Sequence, residues 1–459
     1  MVQVDDSRYA RISKSSPKTM TPSPRANTSA KSYVLRGITG TLAVKVLGTG
    51  LGLLLSVLLA RTMGPTQYGL YAFATETMFF LALPIGVGLP TLLTREVATY
   101  GAAGDYSSLA GILRWSVAVA AGIGLVVIAG SFAAVRIFFH GSAKTSAFLT
   151  ALPLAFLYAL SQLRSGALRG LKQPVRSRVP DAVIRPAVSV SVVLIANQWF
   201  DVAIDASFAI YALCGALATG LVVGALWLRS ALPREALLSR DANYEFRRWI
   251  TEGVPFLLLG GIGIINTRLG MTVSGIIMPA EDVASLKIAV TASTLMAFVL
   301  TSVTTTIGPL IAEYTSAGRR RELQSLLTKT ARAAFAVSGL IGLVFVLFGR
   351  QLIQFVYGVD YVDAYVPLVI LTVGQLSNAA AGAVGSLLNM TGHQRVAVKG
   401  QVLSAIVAVV LTATLTPFFG ITGAATATSV SYVVWNTVLL YSAKQKTGLT
   451  TWAFRMKRE

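Results

Sequence analysis

About twelve apolar stretches, each roughly 20 to 30 residues long, run through this chain, and nearly all of its lysines and arginines fall in or beside every second gap between them. A hydrocarbon core about 30 Å thick takes about 20 apolar residues of helix to cross. The stretches at 37–60, 67–93, 115–138, 146–171, 179–199, 203–228, 250–278, 282–311, 328–349, 362–389, 396–419 and 421–442 meet that length. In lipid only helices and closed barrels satisfy their own backbone, and continuous apolar runs without period-two alternation exclude a barrel. The expected fold is therefore all-α, a polytopic membrane protein.

Of the 39 Lys and Arg, one group lies before the first span, from Arg8 to Arg36, and another after the last, from Lys444 to Arg458. Most of the rest fill the even-numbered gaps, while the odd-numbered gaps hold only Arg61, Arg136, Lys144 and Arg350. Positive charge stays on the cytoplasmic side, so both termini are expected there. The same bias, with contact to anionic membrane lipids, accounts for the net charge of +20. No nucleic-acid partner is expected, because no gap is large enough to fold a binding domain.

Residues 1–35 are polar, basic and proline-rich and read as a disordered cytoplasmic tail rather than a cleaved signal. Residues 36–229 hold spans 1–6 and residues 249–443 hold spans 7–12, with a cytoplasmic linker at 230–248 and a second basic tail at 444–459. The single cysteine, Cys214, falls in span 6 and cannot form an internal disulfide.

The two halves repeat. Met63-Gly64-Pro65 precedes span 2, which carries Leu89-Pro90 near its end and is followed by Arg95-Glu96. Met278-Pro279-Ala280 precedes span 8, which carries Gly308-Pro309 and is followed by Ala312-Glu313. Gly170-Leu171-Lys172-Gln173 after span 4 has its counterpart in Gly392-His393-Gln394 after span 10. The offset is roughly 220 residues, which predicts two six-helix lobes in one orientation with a site between them near the midplane.

The chain also resembles a family. Leu59-Ala60-Arg61, Gly64-Pro65, Tyr68-Gly69-Leu70-Tyr71, Gly88-Leu89-Pro90, Thr94-Arg95-Glu96 and the Leu168-Arg169-Gly170 turn look like those of the polysaccharide-biosynthesis flippases of the multidrug/oligosaccharidyl-lipid/polysaccharide exporter superfamily. The resemblance covers roughly residues 35–445 and is only architectural in the C-terminal half. It implies a bacterial inner-membrane protein that moves a polyprenyl-diphosphate-linked glycan to the outer leaflet, with polysaccharide synthesis enzymes as neighbours. A monomer without cofactor is expected.

Ionisable groups inside spans cost a few kcal/mol on insertion scales, so those present should face a cavity or a partner. Lys45 in span 1 and Arg268 in span 7 fall near the midplane at similar positions of the repeat. Either they line a cavity, where a diphosphate would find charge-assisted hydrogen bonds, or each balances a carboxylate. Lys287, Thr291, Thr294, Ser302 and Thr305 return to one face of span 8, and Tyr158, Gln162, Ser165 and Arg169 to one face of span 4. Such stripes suit sugars, and equally suit helix-to-helix hydrogen bonds. Asp181 and Arg185 stand four apart in the order that favours an intrahelical pair; alternatively Arg185 extends a basic mouth with Arg164, Arg169, Lys172, Arg176 and Arg178. Glu76, flanked by Phe73, Phe79 and Phe80, has no cation at helical spacing. It is a candidate for coupling by proton binding, or for pairing with Lys45 across helices.

Gly48, Gly50 and Gly52, like Gly260, Gly261 and Gly263, imitate a nucleotide fingerprint, but with no strand before them they read as helix packing. Gly261 and Pro255 offer span 7 a place to flex. With only His140 and His393, no histidine metal site is expected. A flippase fits these features best. A cation-coupled multidrug antiporter of the same superfamily is the alternative, and it should carry more carboxylates than cations at depth. A membrane glycan polymerase or ligase is disfavoured by outer gaps of about 15 residues or fewer, too short to build a catalytic domain.

Overall fold

A computed structural model describes residues 24–86, 88–138, 143–200, 203–238 and 241–454. No strand occurs among them, and the fold is all-α. The N-terminal half consists of α1 (Pro24–Leu81), α2 (Leu83–Gly86), α3 (Leu89–Ala103), α4 (Tyr106–Phe138), α5 (Ala143–Gly170), α6 (Pro174–Val179), a π-helical turn (Pro180–Ile184), α7 (Arg185–Trp199) and α8 (Ala206–Ala231). After a short α9 (Arg234–Leu238) come α10 (Phe246–Ile277), α11 (Ala280–Ser316), α12 (Arg320–Val356), a 3-10 turn (Val359–Ala364), α13 (Tyr365–Ala381), α14 (Val384–Met390) and α15 (Gln394–Thr447).

Among the described residues nine helices are long and apolar enough to cross a membrane. Two of these hold an internal break and so supply two spans each. Gly64 has φ 72° and ψ 172° within α1, and Gly420 has φ 52° and ψ −135° within α15. Both conformations are open to glycine and strained for other residues, and Pro65 fixes the chain direction after the first break. With α10, itself 32 residues long, the spans match those read from the sequence.

Several boundaries differ from expectation. Helix begins at Pro24, so residues 24–35 continue the first span's helix rather than forming part of a disordered tail; residues 1–23 lie outside the described residues, as do 455–459 and His140. Span 2 is interrupted between Leu81 and Leu89, where Pro90 opens the new helix α3, and span 10 is interrupted between Ala381 and Val384. Their repeat partners are not broken alike: Pro309 lies inside the continuous α11, and α5 runs through its span whole. α10 runs as one helix from Phe246 to Ile277, through Pro255 and Gly261. The second basic tail is helical to Thr447 and then doubles back, where Gln324 hydrogen-bonds Thr450 in both directions and the Ala453 amide donates to the Ala380 carbonyl (3.0 Å) beside the span 10 break.

In the N-terminal lobe α5 is the central helix, packed on α8, α3, α1 and α4; in the C-terminal lobe α13 packs on α15, α12 and α11. The lobes meet chiefly along α11 and the second half of α1. Toward the odd-numbered gaps this seam is closed. Arg61 donates to the Phe355 and Val356 carbonyls at the end of α12, and Lys144 donates to the Gly275 and Met278 carbonyls at the end of α10 (2.8 and 3.0 Å). Cations at helix C-termini are favoured by the helix dipole. Tyr361 donates to the Ala60 carbonyl (2.7 Å), Ser56 lies 2.8 Å from the Tyr68 hydroxyl, and Thr66 donates to Glu281 (2.5 Å).

Gly69 is the tightest point of that seam, because a Cβ there would lie 1.8 Å from the Ala280 carbonyl oxygen. Gly69→Val should therefore hold the seam apart while each lobe still folds. A cysteine replacing the buried Ser56 should then react with a water-soluble maleimide from the odd-gap side, where the parent protein protects it. Equal protection in both proteins would show that this seam does not govern access.

Candidate functional site

Between the lobes, behind the closed seam, lies a cavity of about 350 Å³ bordered by Thr49, Gly52, Ser56, Thr75, Glu76, Arg185, Lys287, Thr291 and Thr294. It shares Gly48, Thr49, Asp181, Ala182 and Arg185 with a second space of about 450 Å³. That space carries on toward the even-gap end along Lys45, Gln162, Ser165, Arg169 and Arg178. A smaller recess of about 170 Å³ opens from Gln162 and Arg169 past Tyr158 to the break in span 2. The polar stripes thus resolve unequally. Tyr158, Gln162, Ser165 and Arg169 all line these spaces, whereas in span 8 only Lys287, Thr291 and Thr294 do. Ser302 and Thr305 bond to carbonyls of their own helix.

Each sequence-predicted charge has a definite place. Lys45 is half-buried on the cavity wall, its ammonium 5.2 Å from the Phe298 ring of the opposite lobe. Arg185 borders both spaces. The expected pair with Asp181 is not formed. The π-helical turn at Pro180–Ile184 rotates the register, and Asp181 instead accepts from Arg164 Nη2 (2.9 Å) and from the Ser161 hydroxyl. Arg164 is a correction in its own right: 4% exposed, it also donates to the Gly220 carbonyl (3.0 Å) and borders neither cavity. Arg169 donates to Ser165 (2.8 Å) and keeps contact with the cavity.

Glu76 overturns two readings. It pairs with Arg268 and with Lys287 (2.5 Å), both from the C-terminal lobe, and not with Lys45. Already engaged by two cations, it is not the lone carboxyl that a proton-carrying role assumed. For the same reason Arg268 is not a free anion receptor; its guanidinium lies over Phe79, 5.2 Å from the ring centroid. At the mouth of span 7 Glu252 pairs with Arg248 (3.1 Å) and also with Arg95 of the other lobe. Among the described residues, Lys45, Arg169, Arg178 and Arg185 form no ion pair.

The sequence of residues 34–315 matches the model of a family described as polysaccharide biosynthesis protein. The chain belongs to that family. Among its relatives is the protein named "Probable low-salt glycan biosynthesis flippase Agl15" of Haloferax volcanii, 21% identical over 398 residues, which cover 86% of this chain and 80% of that one. The fold is that of known transporters. An inward-facing multidrug resistance MATE family transporter of the MOP superfamily superposes with a TM-score of 0.73 over 89% of this chain and 99% of its own, at 15% identity. The lipid II flippase MurJ in an inward closed conformation superposes with a TM-score of 0.65 over 88% of this chain and 87% of its own, also at 15% identity.

For this member of the polysaccharide biosynthesis family, sequence reasoning missed two features of the site. Arg178 was read only as part of the basic mouth, yet it lines the cavity beside Lys45. Of the glycines in span 1, Gly48 borders both spaces and packs on the Ala182 carbonyl, where a Cβ would come within 2.6 Å, whereas Gly52 borders the cavity with nothing near it. A run of glycine in a polar-lined helix signals space as well as close packing, and spacing alone does not separate the two.

Proposed function

We propose that this chain is an alternating-access flippase for a lipid-linked glycan precursor, a polyprenyl-diphosphate-linked oligosaccharide. One observation carries the reading: the cavity's carboxylates, Glu76 and Asp181, are both engaged by cations, while Lys45, Arg169, Arg178 and Arg185 have no ion-pair partner among the described residues. Lys45 and Arg185 are part-buried within spans, where fixed positive charge is costly unless an anion relieves it, and Arg169 and Arg178 extend that charge to the even-gap mouth. A diphosphate offers several charged oxygens to guanidinium forks and an ammonium, and the hydroxyl and amide groups of Ser165, Gln162, Thr291 and Thr294 offer hydrogen bonds to the first sugars. Family membership and a relative named as a glycan flippase support the same direction.

A cation-coupled multidrug antiporter would need a carboxylate free to meet a cationic drug, and both cavity carboxylates are occupied. A membrane polymerase or ligase would need catalytic groups beside two substrates. In this reading the even-gap face is cytoplasmic, and the chain acts as a monomer in the inner membrane, receiving its lipid from polysaccharide synthesis enzymes.

Topology has a direct check. A cysteine placed in the N-terminal tail of intact cells should resist a membrane-impermeant reagent, and one beside Asp360 should react; equal reaction would reverse or abolish the assignment. Inactivating the gene should leave lipid-linked glycan accumulating on the cytoplasmic leaflet with synthesis intact. Loss of chain extension without accumulation would favour a polymerase.

A further inference from the structure

Glu76 occupies an unusual position for a carboxylate in a site read as anion-binding. It projects from the N-terminal lobe to the cavity edge, 8% exposed as a side chain, with Oε1 taken by Lys287 and Oε2 by Arg268. Both cations come from the other lobe and keep 23% and 31% of their side-chain surface accessible. A single charge therefore serves two cations and bridges the lobes beyond the closed seam. Its two oxygens present to Arg268 and Lys287 what the oxygens of a bound phosphate group would present.

We propose that Glu76 is a built-in counter-anion that the diphosphate of the transported lipid displaces, and that this competition excludes ordinary phospholipid headgroups from the site; the proposal rests on the flippase reading above. Phospholipids surround any cavity that opens toward a bilayer, and each phosphodiester carries one negative charge. Exchanging a tethered carboxylate for such a group replaces one charge by one, with no electrostatic gain to offset the loss of a partner already in place. A diphosphate diester carries two. It satisfies Arg268 and Lys287 and leaves charge over for Arg185, which borders the same cavity as Glu76 and Lys287. Specificity of this kind comes from a competitor built against the wrong ligand as much as from contacts to the right one. The exchange also removes the link between α1 and the pair α10 and α11, so binding of the correct headgroup loosens the lobes at mid-depth.

The test uses the full-length protein in nanodiscs, with farnesyl diphosphate as probe and phosphatidylglycerol as competitor. In phosphatidylcholine alone, Glu76→Gln should bind the probe about tenfold more tightly than the parent, because the internal competitor is gone. Adding phosphatidylglycerol should leave the parent's affinity unchanged and weaken that of E76Q. Lys287→Met, which leaves Glu76 and Arg268 matched one to one, should fold normally and bind the probe about tenfold more weakly. If E76Q does not accumulate, Glu76→Gln with Lys287→Met avoids two unpaired cations and should still show sensitivity to phosphatidylglycerol. Should E76Q keep parental affinity and stay indifferent to phosphatidylglycerol while Lys45→Ala with Arg185→Ala weakens binding, the exchange is wrong and the flippase reading stands. Absence of any probe binding by the parent would overturn both.

Discussion

Replacing Arg164 with alanine should remove most folded protein from the membrane, whatever its effect on transport. Its side chain is 3% exposed and its guanidinium ties α5 to Asp181 and to the Gly220 carbonyl of α8, while also donating to Ser161 one turn back in α5. The alanine variant would leave the Asp181 carboxylate without its cation, with the Ser161 hydroxyl as its remaining partner. Breaking a buried pair from one side typically costs about 3–5 kcal/mol, a large part of the roughly 5–15 kcal/mol that holds a domain folded. Fluorescence-detected size exclusion and thermal melting in detergent would register this as loss of the monodisperse peak. Arg164→Met with Asp181→Leu should recover much of the loss, since an apolar pair of similar volume leaves no uncompensated charge. Normal melting of the single variant would return Arg164 to the list of cavity residues.

The second large effect is expected where the protein itself gives the charge no partner. Lys45→Ala with Arg185→Ala should leave accumulation near the parental level, because neither residue forms an ion pair among the described residues. Loss of each charge-assisted contact to a bound anion costs on the order of 1.5–3 kcal/mol, so the double variant should lower diphosphate affinity by about a hundredfold or more. Isothermal titration with farnesyl diphosphate reads this directly. Arg185→Lys should be milder, keeping the charge and losing the bidentate fork. Unchanged affinity in the double variant would move the headgroup site elsewhere in the molecule.

These two residue sets mark what the sequence does and does not convey. The number of spans and the inward stripe of span 4 follow from hydropathy and helical periodicity, which are local properties, and the two lobes follow from the internal repeat. Tyr158, Gln162, Ser165 and Arg169 line these spaces because steps of three and four residues keep one face of a regular helix together. The Asp181 partner was missed for the converse reason: a π turn breaks the regular spacing, and nothing in Pro180-Asp181-Ala182-Val183-Ile184 announces it. Glu76 was misread because its partners, Arg268 and Lys287, lie 192 and 211 residues away on the other lobe, and single-sequence spacing carries no information about contacts of that range. The interruption of span 2 at Pro90 is legible in principle in Gly88-Leu89-Pro90, but its repeat counterpart Gly308-Pro309 stays helical.

The central claim, that the cationic cavity carries a lipid diphosphate bearing sugars, is tested most directly in proteoliposomes holding a polyprenyl-diphosphate-linked oligosaccharide in the inner leaflet. A membrane-impermeant glycosidase added outside should cleave the sugar in a protein-dependent manner, and Lys45→Ala with Arg185→Ala should abolish that cleavage. No protein-dependent exposure of the glycan, together with uptake of an organic cation against a proton gradient in the same vesicles, would contradict the account.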